Sequence, residues 1–204
     1  MVSANSFVIF DVLFIATNLQ KYNCDFNFSE INLFCYFSCL LSLYAGKPSS
    51  EWGYAFIKNE YGVPISAEVN SSIKWFKDAE YLIEDNEGYF NITNKGIEFK
   101  NQLMEMNRYS ERKLFIENAC DSLLLNSIGD IRSIIHEEPI ISATKNSSLR
   151  QLLNDNSGTI DLLYNQFAIL KHLLNGDNTN DMFLAALTWL KCVQNIEGFG
   201  YAHE

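Results

Sequence analysis

Between Phe7 and Leu19 apolar side chains fall on nearly every side of a helical wheel, so the stretch reads as a buried helix, or as a strand running into a helix. Asn23 to Phe28 is polar and aromatic and reads as a loop. A second apolar run begins at Ser29, a good N-cap with Glu30 in the first turn, and continues to Tyr44 before Gly46-Lys47-Pro48 stops it. Ser49-Ser50-Glu51 then predicts a helix to about Glu60, with Trp52, Ala55, Phe56 and Tyr61 on one side and a turn at Tyr61–Pro64. Ser66 caps a further helix, Ala67 to Asp78, whose Val69, Ile73, Trp75 and Phe76 keep a three-to-four spacing. Two short extended stretches follow, Tyr81–Ile83 and Tyr89–Thr93, joined by the polar linker Glu84-Asp85-Asn86-Glu87-Gly88 that marks a hairpin. Asn94 reads as the cap of a helix running to about Met106.

The rest is helical in pattern. Arg108 to Asn126 sets Leu114, Phe115, Ala119 and Leu123 at core spacing, and Gly129 to Glu138 predicts a shorter helix stopped by Pro139. Residues 142–148 read as a mobile loop and Leu149–Leu153 as one helical turn. Gly158–Leu174 and Asp181–Ile196 predict two helices joined by Asn175–Asn178 as a helical hairpin. The fold class expected is mainly α with a small two-stranded β wing. The chain divides as an N-terminal apolar segment (1–28), a winged-helix domain (29–106) and a C-terminal helical region (107–204).

Composition supports a packed interior. The 204 residues are 48% hydrophobic and 14% aromatic, with only 10 Gly and 3 Pro, which favours long helices over a turn-rich β fold. A chain of this length buries roughly 70% of its unfolded surface and needs no staple. The five cysteines, Cys24, Cys35, Cys39, Cys120 and Cys192, form no CxxC pair and read as buried thiols in a reducing cytoplasm. Asp11 interrupts the first apolar run and no basic residue precedes it, so it does not read as a signal peptide; Leu33–Ala45 is shorter than the ~20 residues of a membrane span and reads as a buried helix.

Charge narrows the partners. The net charge is −10, and residues 114–204 carry 11 acids against 5 bases while residues 47–113 carry 11 against 9. Such a field repels phosphate, so any contact with DNA requires a local patch or a basic partner. The helix before the hairpin is the one such patch. It offers Ser71, Lys74 and Lys77 outward, with Lys95 and Lys100 behind the wing, but Glu68 and the wing acids Glu84, Asp85 and Glu87 oppose them.

Catalytic chemistry finds little footing. No GxGxxG, GxxxxGK[ST] or GxSxG occurs, and His136-Glu137-Glu138 lacks the second histidine of a zinc-protease helix and reads as a solvated helix end. His172 reads as an exposed side chain. No catalytic residue, cofactor or metal ligand is expected.

The order helix, turn, helix, hairpin, helix resembles a winged helix. Tyr89 to Phe99 carries most of the likeness, since Ile92, Thr93 and Gly96 match the phrase with which a second wing strand feeds the next helix. Together with Ile131, Ile134, Glu137 and Pro139, it resembles the middle-component proteins of bacterial ABC-three-component systems, the Lamassu-type defence operons among them. That resemblance implies a cytoplasmic, non-catalytic subunit bridging an SMC-like ATPase and an effector in anti-phage or anti-plasmid defence, with DNA reached through the complex. The alternative is a winged-helix transcription regulator dimerising through its last two helices; an enzyme of unseen type is the third reading.

Overall fold

A computed structural model of the chain describes residues 5–145, 151–174 and 181–200, with side chains to 194. Helix α1 (Ser6–Lys21) starts where the Asn5 side chain accepts from the Phe7 amide, and it is a helix throughout. Helix α2 (Phe28–Tyr44) is buried on every side from Glu30 to Tyr44. Its cap is Asn27 and not Ser29: Asn27 accepts from the Ser29 amide while Glu30 reaches back to the Asn27 amide, a capping box. A helix apolar all round is one that lies at the centre of a fold. Around α2 pack α1, helix α3 (Ala67–Asp78), helix α5 (Ser110–Leu123) and helix α8 (Gly158–Leu173).

The predicted helix over 49–60 does not form. Ser49–Trp52 is a single 3-10 turn, ended by Gly53 at φ 91°, and strand β1 (Phe56–Lys58) follows. Trp52, Tyr54 and Phe56 are buried while their neighbours face water, so the true periodicity is two and not 3.6. The 3-10 turn is held from a distance, because the Asp155 carboxylate accepts from the Ser49 and Ser50 amides at 2.8 and 3.1 Å. Strand β1 pairs antiparallel with β2 (Pro64–Ile65) on one side and with β5 (Gln151–Leu152) on the other. The helical turn expected at 149–153 is therefore a strand where it is described, formed only because β1 supplies its partner.

Helix α3 is capped by Ser66 as expected and buries Val69, Ile73 and Phe76, although Trp75 stays 41% exposed. Strands β3 (Leu82–Glu84) and β4 (Phe90–Ile92) form the hairpin in the register Leu82 to Ile92. Phe90 N also donates to Phe26 O, in the link between α1 and α2, at 2.8 Å, so this segment lies along the free edge of β4. Thr93, not Asn94, caps helix α4 (Asn94–Met104), accepting from Gly96 N at 3.1 Å while its hydroxyl donates to Glu80 O.

That phrase of Thr93 and Gly96 has a steric cause. A Cβ on Gly96 would sit 2.5 Å from Tyr81 O and 2.7 Å from Ile92 Cγ1. Gly96→Ala is expected to cost about 1–3 kcal/mol by overpacking at a backbone atom that has little room to retreat. Urea denaturation checks it, and an unchanged midpoint would mean that α4 does not close on the hairpin as described.

Helix α6 (Ile128–His136) starts at the Ser127 cap, and Pro139 does not end the helical region but opens helix α7 (Pro139–Ala143) at its first position. Residues 142 and 143 belong to that helix, and 146–148 lie outside the described residues, as does the 175–178 link between α8 and α9 (Met182–Gly200). Phe37 and Tyr44 of α2 meet Trp189 of α9 and Phe167 of α8, at 5.9 and 5.5 Å between ring centres. The result is a mainly helical protein with two small antiparallel sheets and one continuous apolar core. Among the described residues no helix is long and apolar enough to cross a membrane.

Candidate interaction surface

Of the residues read as a contact surface, Ser71, Lys74 and Lys77 share α3 and Lys95 reaches its C-terminal end, while Lys100 lies against Phe14 of α1, and most are engaged. Ser71 and Lys74 are exposed on α3 beside Trp75. One turn on, Lys77 is bound by Glu84 of β3 and lies over the Phe90 ring, so its charge is answered within the fold. Lys95 donates to Ala79 O at 2.8 Å and sits 4.9 Å from the centre of the Tyr81 ring. Lys100 leans on Phe14, and burial, then the neighbouring Lys113, pushes its ammonium below the usual lysine range. Trp75, Tyr81 and Phe99 form an aromatic group behind this face, with Tyr81 and Phe99 stacked at 5.0 Å. The wing tip is exposed through Glu84, Asp85 and Glu87, and Asp85 Oδ1 accepts from the Glu87 and Tyr89 amides to shape the turn. The face is aromatic and acidic around one open lysine.

Two buried polar clusters were not legible as such. Asp11, which merely interrupts an apolar run in the sequence, is fully buried and holds Arg112 of α5 by a two-toothed ion pair at 2.5 and 2.6 Å. Tyr54 OH donates to the same carboxylate at 2.6 Å, and Arg112 donates to Trp52 O at 2.9 Å. The guanidinium lies 3.7 Å from the centre of the Trp52 ring. The cluster ties α1, the 3-10 turn and α5 together, and an outer groove beside it is lined by Phe7, Lys47, Glu111 and Phe115. Both oxygens of the Asp11 carboxylate are engaged, by Arg112 and by Tyr54.

The second cluster corrects the reading of His136-Glu137-Glu138. His136 and Glu137 do lie at the surface, where Glu137 pairs with Lys145 at 2.7 Å and is held below the usual carboxylate range by that contact. Glu138 is fully buried instead. Its carboxyl caps α7, accepting from Ile140 N and Ile141 N at 3.1 and 3.0 Å and from Tyr36 OH of α2 at 2.9 Å. Burial pushes it up to about 7 against the three hydrogen bonds that favour its charge. The signal was present in the dipeptide Glu138-Pro139, since proline at the first helical position makes its predecessor the cap.

Cys35, Cys39 and Cys120 are buried, Cys24 is partly covered and Cys192 is exposed, so three of the five expected buried thiols are so. Burial raises the Cys35, Cys39 and Cys120 thiols far above their ordinary range, which makes them inert as nucleophiles. Among the described residues no three His, Cys, Asp or Glu side chains gather as a metal site. Across residues 158–174 and 181–194 the acids Asp161 and Asp181 balance Lys171 and Lys191, so the acidic excess of residues 114–204 lies outside these two stretches. Compared with family models, curated proteins and solved structures, the chain has no match.

Proposed function

We propose that this protein is a non-catalytic interaction subunit, built on a winged-helix core, that binds other proteins and carries no reaction of its own. The core assigned in this reading is not residues 29–106 with three consecutive helices. It is α1, α2 and α3 with the two-stranded β3–β4 wing, whose edge is met by Phe26 through one backbone hydrogen bond, and the 3-10 turn with the β1–β2 hairpin inserted between α2 and α3. The observation that carries the functional reading is the occupancy of the lysines. Of the four on the α3 and wing face, Lys77 and Lys95 are neutralised or tied down locally, Lys100 is partly buried, and the wing tip is acidic. Affinity for duplex DNA grows with the number of phosphates neutralised, and a single open lysine supplies about one.

In this reading the partners follow the resemblance to the small subunits of ABC-three-component systems: an SMC-like ATPase and an effector, acting in the cytoplasm against phage or plasmids. Trp75 at 41% and Ile83 at 53% exposure are anchors suited to a protein partner. The test has two arms. The tagged protein, purified from its native host with its operon neighbours, is expected to bring a large ATPase in stoichiometric amount. Fluorescence anisotropy with duplex DNA at low salt is expected to show no binding that Lys74→Glu weakens. Recovery of the chain alone, together with salt-sensitive duplex binding lost in Lys74→Glu, would replace the proposal by the transcription-regulator reading.

A further inference from the structure

The region of α3, the β3–β4 wing and the start of α4 holds more negative charge than the fold answers. Residues 67–98 carry seven acids against three lysines, and every one of those acids is exposed. Lys77 is bound by Glu84, and Lys95 is turned inward to Ala79 O. Asp78, Glu80, Glu87 and Glu98 pair with no cation among the described residues. Trp75 is exposed in the same region. Its ring, 41% open, is braced by Tyr81 at 5.6 Å and by Phe99 at 6.5 Å. Asp78 follows three residues later on α3 and so lies on the same face of the helix, and Glu98 is the neighbour of Phe99 on α4.

The charge selects the occupant. A nucleic acid is repelled by an excess of four acids over lysines, and a second copy would set that same excess against itself. An uncharged apolar surface closing on Trp75 would take the nearby carboxylates out of water with nothing to pair them, which costs free energy. A cationic surface meets neither obstacle. Between the two basic side chains, a guanidinium suits the site better than an ammonium. It is planar, so it can lie on an indole face and still donate at its rim to carboxylates. The chain builds this arrangement once inside itself, where Arg112 lies 3.7 Å from the centre of the Trp52 ring while donating to Asp11.

We propose that this face receives an arginine-bearing segment of another protein, with a guanidinium stacked on Trp75 and paired with the unanswered acids beside it. The inference deepens the interaction-subunit reading and rests on it, by naming the surface and the chemistry of the partner. Lys74 is exposed next to Trp75 and opposes such a segment, so in this account it is a brake on binding.

Fluorescence anisotropy of the full chain with the labelled peptide Arg-Leu-Arg-Leu-Arg-Leu-Arg, at low salt, tests it. The peptide is expected to bind, while its counterpart with glutamate in place of arginine does not. Trp75→Ala should weaken binding roughly tenfold, and Asp78→Lys and Glu98→Lys roughly threefold each. Asp161→Lys, at an exposed position on α8, should leave it unchanged. Lys74→Glu should strengthen it by about threefold, the opposite of its effect on a DNA reader. Far-UV circular dichroism checks that each variant is folded. No binding of the arginine peptide, or binding indifferent to Trp75→Ala and to both acid reversals, overturns the proposal. An Asp161→Lys loss as large as that of Asp78→Lys overturns the location, and weakening by Lys74→Glu overturns the sign of the field. Co-purification separates this inference from the reading beneath it. A partner held equally by wild type and Trp75→Ala keeps the interaction subunit and removes this face. A wild type recovered alone from its host, whose peptide binding still depends on Trp75, removes the native complex and keeps the face.

Discussion

Replacing Asp11 with alanine is expected to lower the unfolding free energy by roughly 3–5 kcal/mol, the loss typical of breaking a buried ion pair from one side. The carboxylate is fully buried and is the anion for Arg112, which is itself only 7% exposed. Removing it leaves a guanidinium without a counter-charge among Phe7, Trp52 and Tyr54. It also strands the Tyr54 hydroxyl, whose proton burial and the carboxylate together hold firmly. Arginine cannot shed its charge to escape, so the cost falls on the fold and not on a titration. For a chain of this size the change corresponds to a drop in Tm on the order of 10 °C.

The second variant that gives this prediction its edge is Asp11→Leu with Arg112→Met. A buried ion pair costs nearly as much to desolvate as it returns, so removing both charges together should recover most of the stability lost by removing one. A double-mutant cycle read by urea denaturation measures the coupling. If Asp11→Ala alone shifts the midpoint by less than about 1 kcal/mol, the two side chains are solvated and the junction of α1 with α5 is wrongly drawn.

The second large effect is a dependence on pH carried by Glu138. Its carboxyl sits at about 7 when folded and near 4.5 in an ordinary setting, so the folded state binds the proton more tightly than the unfolded one. The stabilisation that this brings is complete below pH 4.5, falls as the pH rises to 7, and is gone above it. Across that window about 3 kcal/mol is lost, because burial penalises the anion more than Ile140, Ile141 and Tyr36 reward it. Glu138→Gln keeps one acceptor for the α7 cap and stays neutral at every pH. Compared with wild type it is expected to be of similar stability at pH 5 and about 3 kcal/mol more stable at pH 8. Taking the difference between the two proteins removes the other carboxylates, which titrate alike in both. A difference that does not change between pH 5 and 8 would show that Glu138 keeps one charge state there, contrary to its burial.

The two clusters show where reading along the chain stops. Asp11 appears in sequence as a polar interruption, and nothing local distinguishes an acid that breaks an apolar helix from one that anchors it. The distinction lies 101 residues away in Arg112. Glu138 could have been assigned as a cap from the proline after it, but its burial depends on Tyr36, 102 residues away. The segment 49–60 went wrong for a different reason. Serine and glutamate at its start are helix-opening residues, yet Trp52, Tyr54 and Phe56 alternate, and the alternation wins because β2 and β5 are there to pair with β1.

What was determined by the chain alone is what depends on neighbours within a turn or two. Those features are the long apolar helices α1 and α2, the Ser66 cap of α3, the β3–β4 hairpin and the phrase from Ile92 to Gly96 that leads into α4. Capping, hydrophobic period and turn chemistry act over three to five residues, so they are written locally. Tertiary structure alone decided which helix lies at the centre, which polar residues are buried in pairs, and which lysines remain open to a partner. Burial and charge pairing depend on residues a hundred positions apart, and their energies exist only once those residues have been brought together. The same holds for Trp75, which the spacing of α3 sets with Val69, Ile73 and Phe76 but which the fold leaves 41% exposed.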